Sequence, residues 1–165
     1  VICLSISDGF ERDETMFVGV DSGIFRSTNG GRAWREVDFP LDLAPVLSLA
    51  LSPEYAEYGT LFAGTESHGL YRSQDGGRSW TRIGMDEIQG AVNAILLSPE
   101  FPENRGILVM LGDGLHLSRD GGQSWIERTA GVEFGEGLSC VAAPQGIGPD
   151  APLLVGLVDG GVLLV

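Results

Sequence analysis

At 165 residues and 43% hydrophobic, the chain is long enough to bury a core and too apolar to be disordered. Its charge is one-sided: ten basic residues, all arginine, stand against 23 acidic ones, for a net charge of −13. That balance repels phosphate backbones and argues against nucleic acid as a partner, and no apolar run approaches the roughly 20 residues of a membrane-spanning helix.

The chain opens on Val1 with no basic leader region, so it reads as a processed chain or a piece of a longer one. In chain order, apolar β-type runs follow at Cys3–Ser7, Thr15–Val20 and Ile24–Arg26. An eight-residue segment, here called a box, comes next at Ser27–Trp34. The same order returns twice: boxes recur at Ser73–Trp80 and Ser118–Trp125, starting 46 and then 45 residues after the one before. All three tryptophans of the chain fall in boxes. A fourth copy begins at Leu138–Pro144, continues through Leu153–Gly156 and Gly161–Val165, and stops where its own box would start. In the second copy the four runs are Val46–Leu51, Thr60–Thr65, Gly69–Arg72 and Ser79–Ile83. Four strands per copy predict one propeller blade per copy. The expected fold is therefore all-β: a β-propeller of four-stranded antiparallel blades, about three and three-quarter blades in this chain. The expected blades lie at about 1–44, 45–89, 90–136 and an incomplete 137–165, in one propeller segment over 1–165. No stretch carries helical periodicity.

The boxes follow the pattern Ser-x-Asp-x-Gly-x-x-Trp. This resembles the Asp-box, or BNR, repeat of sialidases, xyloglucan-active glycosidases, sortilin-type receptors and the photosystem II assembly factor. Three copies in register make the resemblance specific for fold, but it says little about function because those families do unrelated things. The chemistry expected of each box is structural. Gly31, Gly77 and Gly122 turn the hairpin between the third and fourth strands. Ser27, Ser73 and Ser118, with Asp75 and Asp120, accept backbone N–H groups in the turn. Trp34, Trp80 and Trp125 clamp it with a large apolar body. Asn29 replaces the aspartate in the first box, keeping an acceptor and losing the charge. A catalytic residue is needed once, whereas these recur, so no catalytic residue is assigned.

Strand order puts the boxes on one face and the second-to-third turns on the other. The resemblance implies that ligands bind the face opposite the boxes. Asp21, Glu66, His68, Asp113 and Asp159 stand in those turns and are the candidate binding residues. No arginine reads as a unique residue of that face, since Arg26 and Arg72 are repeat-equivalent and Arg32 and Arg78 lie in boxes. His68 and His116 lack ligand spacing, so neither a metal nor a cofactor is expected. Cys3 is read as equivalent to Ser48, Ala94 and Ser139, and Cys140 to Leu4, Leu49 and Ile95; the two cysteines then face different ways, which argues against a bridge, and they read as buried free thiols.

The expected function is a non-catalytic scaffold for a protein or glycan. The alternative is a fragment of a sialidase-like or xyloglucanase-like glycoside hydrolase whose catalytic residues lie partly outside the chain. The ring lacks a strand to close it, so additional blades or a homodimer are expected to complete it. Family resemblance alone favours an extracellular or cell-surface setting.

Overall fold

The computed structural model describes residues 1–101, 103–129 and 131–165. They form four antiparallel sheets, each a simple meander. The first holds β1 (Cys3–Ile6), β2 (Met16–Val20), β3 (Gly23–Ser27) and β4 (Arg35–Glu36). The second holds β5 (Val46–Leu51), β6 (Leu61–Thr65), β7 (Leu70–Ser73) and β8 (Thr81–Ile83). The third holds β9 (Ala94–Leu97), β10 (Ile107–Met110), β11 (Leu115–Ser118) and β12 (Ile126–Glu127). The fourth stops at three strands: β13 (Leu138–Ala142), β14 (Leu154–Leu157) and β15 (Val162–Leu164). This is the expected propeller of three full blades and most of a fourth.

Two one-turn helices depart from the all-strand reading: α1 (Phe10–Asp13) and α2 (Tyr55–Tyr58), both in first-to-second loops. One turn is too short to leave a periodic trace in sequence. Each ends on a left-handed residue, Glu14 at φ 46° and Gly59 at φ 65°.

The core is not inside a blade but between blades, because successive strand residues point to opposite faces. Phe17 and Ile24 of the first blade meet Val46, Leu61 and Ala63 of the second. Phe62 and Leu70, on the second blade's other face, meet Ile107 and Val109 of the third. Leu108, Met110, Leu115 and Leu117 then meet Leu153 and Val155 of the fourth. A middle strand is thus covered on both sides, and β6 is buried at every residue.

One rung of each sheet sets how closely the next blade approaches. It pairs Cys3 with Gly19, Ser48 with Gly64, Ala94 with Met110 and Cys140 with Gly156. The Cys3 thiol reaches the Val46 carbonyl of the second blade at 3.4 Å, and the Ser48 hydroxyl donates to the Val92 carbonyl of the third at 2.7 Å. A Cβ on Gly19 would sit 2.6 Å from both the Cys3 sulfur and the Val46 oxygen, so glycine is required there.

This register corrects the reading of the cysteines. The fourth copy is one residue shorter between strand and proline, so aligning on Pro144 slips β13 by one and flips its faces. Cys3 and Cys140 therefore occupy the same position. Both are free, but only Cys3 is covered by a following blade; Cys140 is exposed. Burial pushes the Cys3 thiol up to about 11, since covering the sulfur disfavours the thiolate.

Alkylation of the dilute, monomeric chain with iodoacetamide at neutral pH should therefore modify Cys140 well before Cys3, because the thiolate is the nucleophile. Peptide mass mapping over time reads this directly; equal rates at the two sulfurs would contradict the assigned register.

Candidate functional site

Each box is closed by a small hydrogen-bond set. In the second, Asp75 Oδ1 accepts from the Ser73 hydroxyl at 2.8 Å and from the Arg78 and Ser79 amides at 2.9 Å each. Its Oδ2 accepts from the Ser79 hydroxyl at 2.6 Å. Asp120 does the same with Ser118, Gln123 and Ser124. The Ser73 hydroxyl oxygen also accepts the Gly77 amide at 2.9 Å, with Gly77 at φ 87°.

The Ser79 hydroxyl, then its amide, hold the Asp75 carboxyl well below the usual carboxylate range. The Ser124 hydroxyl leads the same effect on Asp120. Both acids are fully engaged within their own turns. In the first box, Asn29 Oδ1 accepts from the Ser27 hydroxyl at 3.0 Å and the Ala33 amide at 2.8 Å. The sequence reading missed the serines at 79 and 124. The signal was present, since Ala33 stands at that position only where the aspartate has become an asparagine with no second acceptor oxygen.

The tryptophans clamp more than their own turns. Trp80 packs edge-on against Phe39 of the preceding blade, with ring centroids 5.2 Å apart. Trp125 is buried, with its indole nitrogen close against Gly84 of the second blade. Trp34 has no preceding blade and is 38% exposed.

The box turns rest on the first-to-second loops. The Gly30, Gly76 and Gly121 amides donate to the Glu14, Gly59 and Arg105 carbonyls. On the other face, Asp21, Glu66, His68, Asp113 and Asp159 are all exposed, each in its own blade's turn. No hydrogen bond links any two of them; His68 Nδ1 lies 3.0 Å from the Ser67 hydroxyl instead. His116 is half-buried in β11, opposite Glu127. Among the described residues no three His, Cys, Asp or Glu side chains are gathered to hold a metal ion.

A different place draws charge together. Between β4 and the second box lies a groove of about 660 Å³, lined by Arg26, Asn29, Arg35 and Arg78 and by Glu36 and Asp38. Arg26 and Arg35 are direct cross-strand partners. Arg26 Nη1 donates to the Gly76 carbonyl at 3.2 Å, its guanidinium lies 5.6 Å from the Phe17 ring centroid, and its buried Nε has no partner. Among the described residues the one ion pair is Arg32 with Glu14, at 2.7 Å. The sequence reading passed over this groove because it treated Arg26 and Arg78 as ordinary repeat residues.

No protein-family profile matches the chain, and no curated protein sequence does. Solved structures do. An ancestral GH74 enzyme superposes with a TM-score of 0.72 at 17% identity, over 100% of this chain and 25% of its own. The GH74 xyloglucanase from Xanthomonas campestris gives 0.68 at 18% identity, over 99% and 28%. YCF48 bound to D1 peptide gives 0.64 at 16% identity, over 87% and 43%. The chain thus spans about a quarter of the GH74 structures it resembles, and at these identities the likeness establishes the propeller fold.

The lowered carboxyls of Asp75 and Asp120 set a pH dependence. Their contribution to stability is complete above the ordinary value of 3.8 and is lost as pH falls through the lower folded values. Asp75→Asn should cost roughly 1 kcal/mol at neutral pH and flatten the loss of stability on acidification below that value. Urea unfolding across acid pH checks both; an unchanged acid slope would remove Asp75 from the account.

Proposed function

We propose that the chain is a non-catalytic Asp-box (BNR-type) propeller segment that works as a protein interaction scaffold. The observation that carries this reading is the pair of uncovered end faces. On the first blade Leu4 and Ile6 are exposed, whereas their counterparts Leu49, Leu51, Ile95 and Leu97 pack into the joints between blades. On the fourth blade Leu154 and Val162 are exposed, whereas their counterparts Phe17 and Ile24, and Phe62 and Leu70, are fully buried; Leu164 is exposed too, whereas its third-blade counterpart Leu117 is buried. Val1 is 87% exposed; Val46 and Val92, two residues before the same rung, are 0%.

Neither face carries a charged side chain at these positions, although the chain's net charge is −13. Apolar surface of this kind is covered in a longer propeller by the next blade, and in this chain it is open to a further blade or to another protein. The two faces are the two halves of one blade-to-blade joint, so a further blade or a second copy of the chain fits either. The YCF48 structure, which is bound to D1 peptide, supports a protein partner. The exposed turns with Asp21, Glu66, His68, Asp113 and Asp159 remain the surface proposed for a further protein or glycan ligand.

The second reading, part of a glycoside hydrolase, draws support from the likeness to GH74 enzymes. Glycoside hydrolysis usually needs two carboxyl groups in distinct roles. Asp21, Glu66, Asp113 and Asp159 instead sit at equivalent turns in successive blades, which favours the scaffold.

Light scattering should find a particle of twice the chain mass or larger, growing with concentration. Leu4→Arg and Leu164→Arg should each abolish it, because each spoils one half of the joint. Mixed together they should restore a two-chain particle through the half that each retains. A chain that stays monomeric at all concentrations, or a mixture that stays monomeric, would remove self-association from the proposal.

A further inference from the structure

We infer that the groove between the first and second blades binds a carboxylate, presented by a peptide or a small organic acid. This surface is separate from the end faces, and the inference does not depend on them. The first observation is the cross-strand pair Arg26 and Arg35. Like charges directly opposite one another on neighbouring strands are destabilising. No carboxylate lies within 4.0 Å of either, nor of Arg78, among the described residues.

The second observation is where the repeat breaks. The partner of Arg72, the equivalent of Arg26, is Thr81; the partner of Leu117 is Ile126. Arg35 therefore stands where the next two blades place uncharged residues. Arg78 enters the same groove from the second box, where the third box has Gln123. Asn29 lines the groove too, at the position where the other two boxes carry Asp75 and Asp120. Arg35, Arg78 and Asn29 each add positive or remove negative charge relative to the next joint, whereas Glu36 and Asp38 stand where the second blade has Arg82 and Gly84. Repetition explains turn chemistry; three arginines brought together with no carboxylate within 4.0 Å of Arg26, Arg35 or Arg78 among the described residues point to a ligand.

The chemistry of the groove selects the ligand. Guanidinium groups present paired N–H donors that match the two oxygens of a carboxylate. Arg26 is already anchored by the Gly76 carbonyl and the Phe17 ring, so its remaining donors are held in place. Glu36 and Asp38 in the lining, together with the net charge of −13, disfavour a multiply charged phosphate relative to a singly charged carboxylate.

The test is a titration of the full chain with acetate, inorganic phosphate and chloride at matched ionic strength, followed by the side-chain Nε–H signals of the arginines in NMR spectra. Acetate should shift the Arg26, Arg35 and Arg78 signals in a saturable way, more strongly than phosphate, with no such response to chloride. Arg35→Thr should weaken acetate binding about tenfold while raising the melting temperature in chloride, since the like-charge pair is gone. Asn29→Asp should also weaken binding about tenfold, with the box intact because its acceptor oxygen is retained. A response to chloride equal to that to acetate, a preference for phosphate, or an acetate response unchanged in both variants would overturn the inference.

Discussion

A blade in this chain has two apolar faces and no interior, so it becomes stable only when another blade lies against it. Everything else in the structure follows from that dependence. It explains why β6 is buried along its whole length while β1, with the same alternation, leaves Leu4 and Ile6 in solvent. It explains why Trp125 is buried and Trp34 is not, although both sit at the same place in their boxes. It also fixes the glycine at position 19, where the backbone of one sheet passes against the next. Stability in such an arrangement resides in joints, approximately as a sum over neighbours.

The boxes serve the same end on the other side of the sheet. Their serines and aspartates close a turn, and the tryptophan that follows carries the turn onto the preceding blade. The carboxylates of Asp75 and Asp120 accept from donors of their own loops, three on Oδ1 and one on Oδ2, which is the work of a turn rather than of a substrate site. Function in a repeat of this kind is to be sought where the copies differ, and the joint of Arg26, Arg35 and Arg78 is one such place.

Much of the fold was legible in the sequence because the three full blades repeat the same signals: Gly-Gly turns, alternating apolar runs and one tryptophan. The strands of the second blade fall within a residue or two of their expected ends. The misreadings have physical causes. The single turns α1 and α2 are shorter than any period. The cysteines were misplaced because a proline is a poor anchor for register when a loop loses one residue. The arginine groove was missed because proximity across a joint, such as Arg78 beside Arg35, is not a spacing along the chain. Repeat logic reads Arg26 and Arg78 as shared residues, and what sets this groove apart is Arg35, which the other blades do not share.

The rung that sets blade separation is filled in two ways. Three sheets place a side chain with a sulfur or hydroxyl on the first strand and a glycine opposite: Cys3 with Gly19, Ser48 with Gly64, Cys140 with Gly156. The third reverses the arrangement, with small Ala94 on the first strand and bulky Met110 on the second. The same volume is supplied from the opposite strand. Modularity in this chain therefore stops at the rung. Transplanting only the first strand from one blade to another would put two large groups in one space or leave none there, whereas exchanging both strands together keeps the spacing. The unit that can be shuffled is the first two strands as a pair.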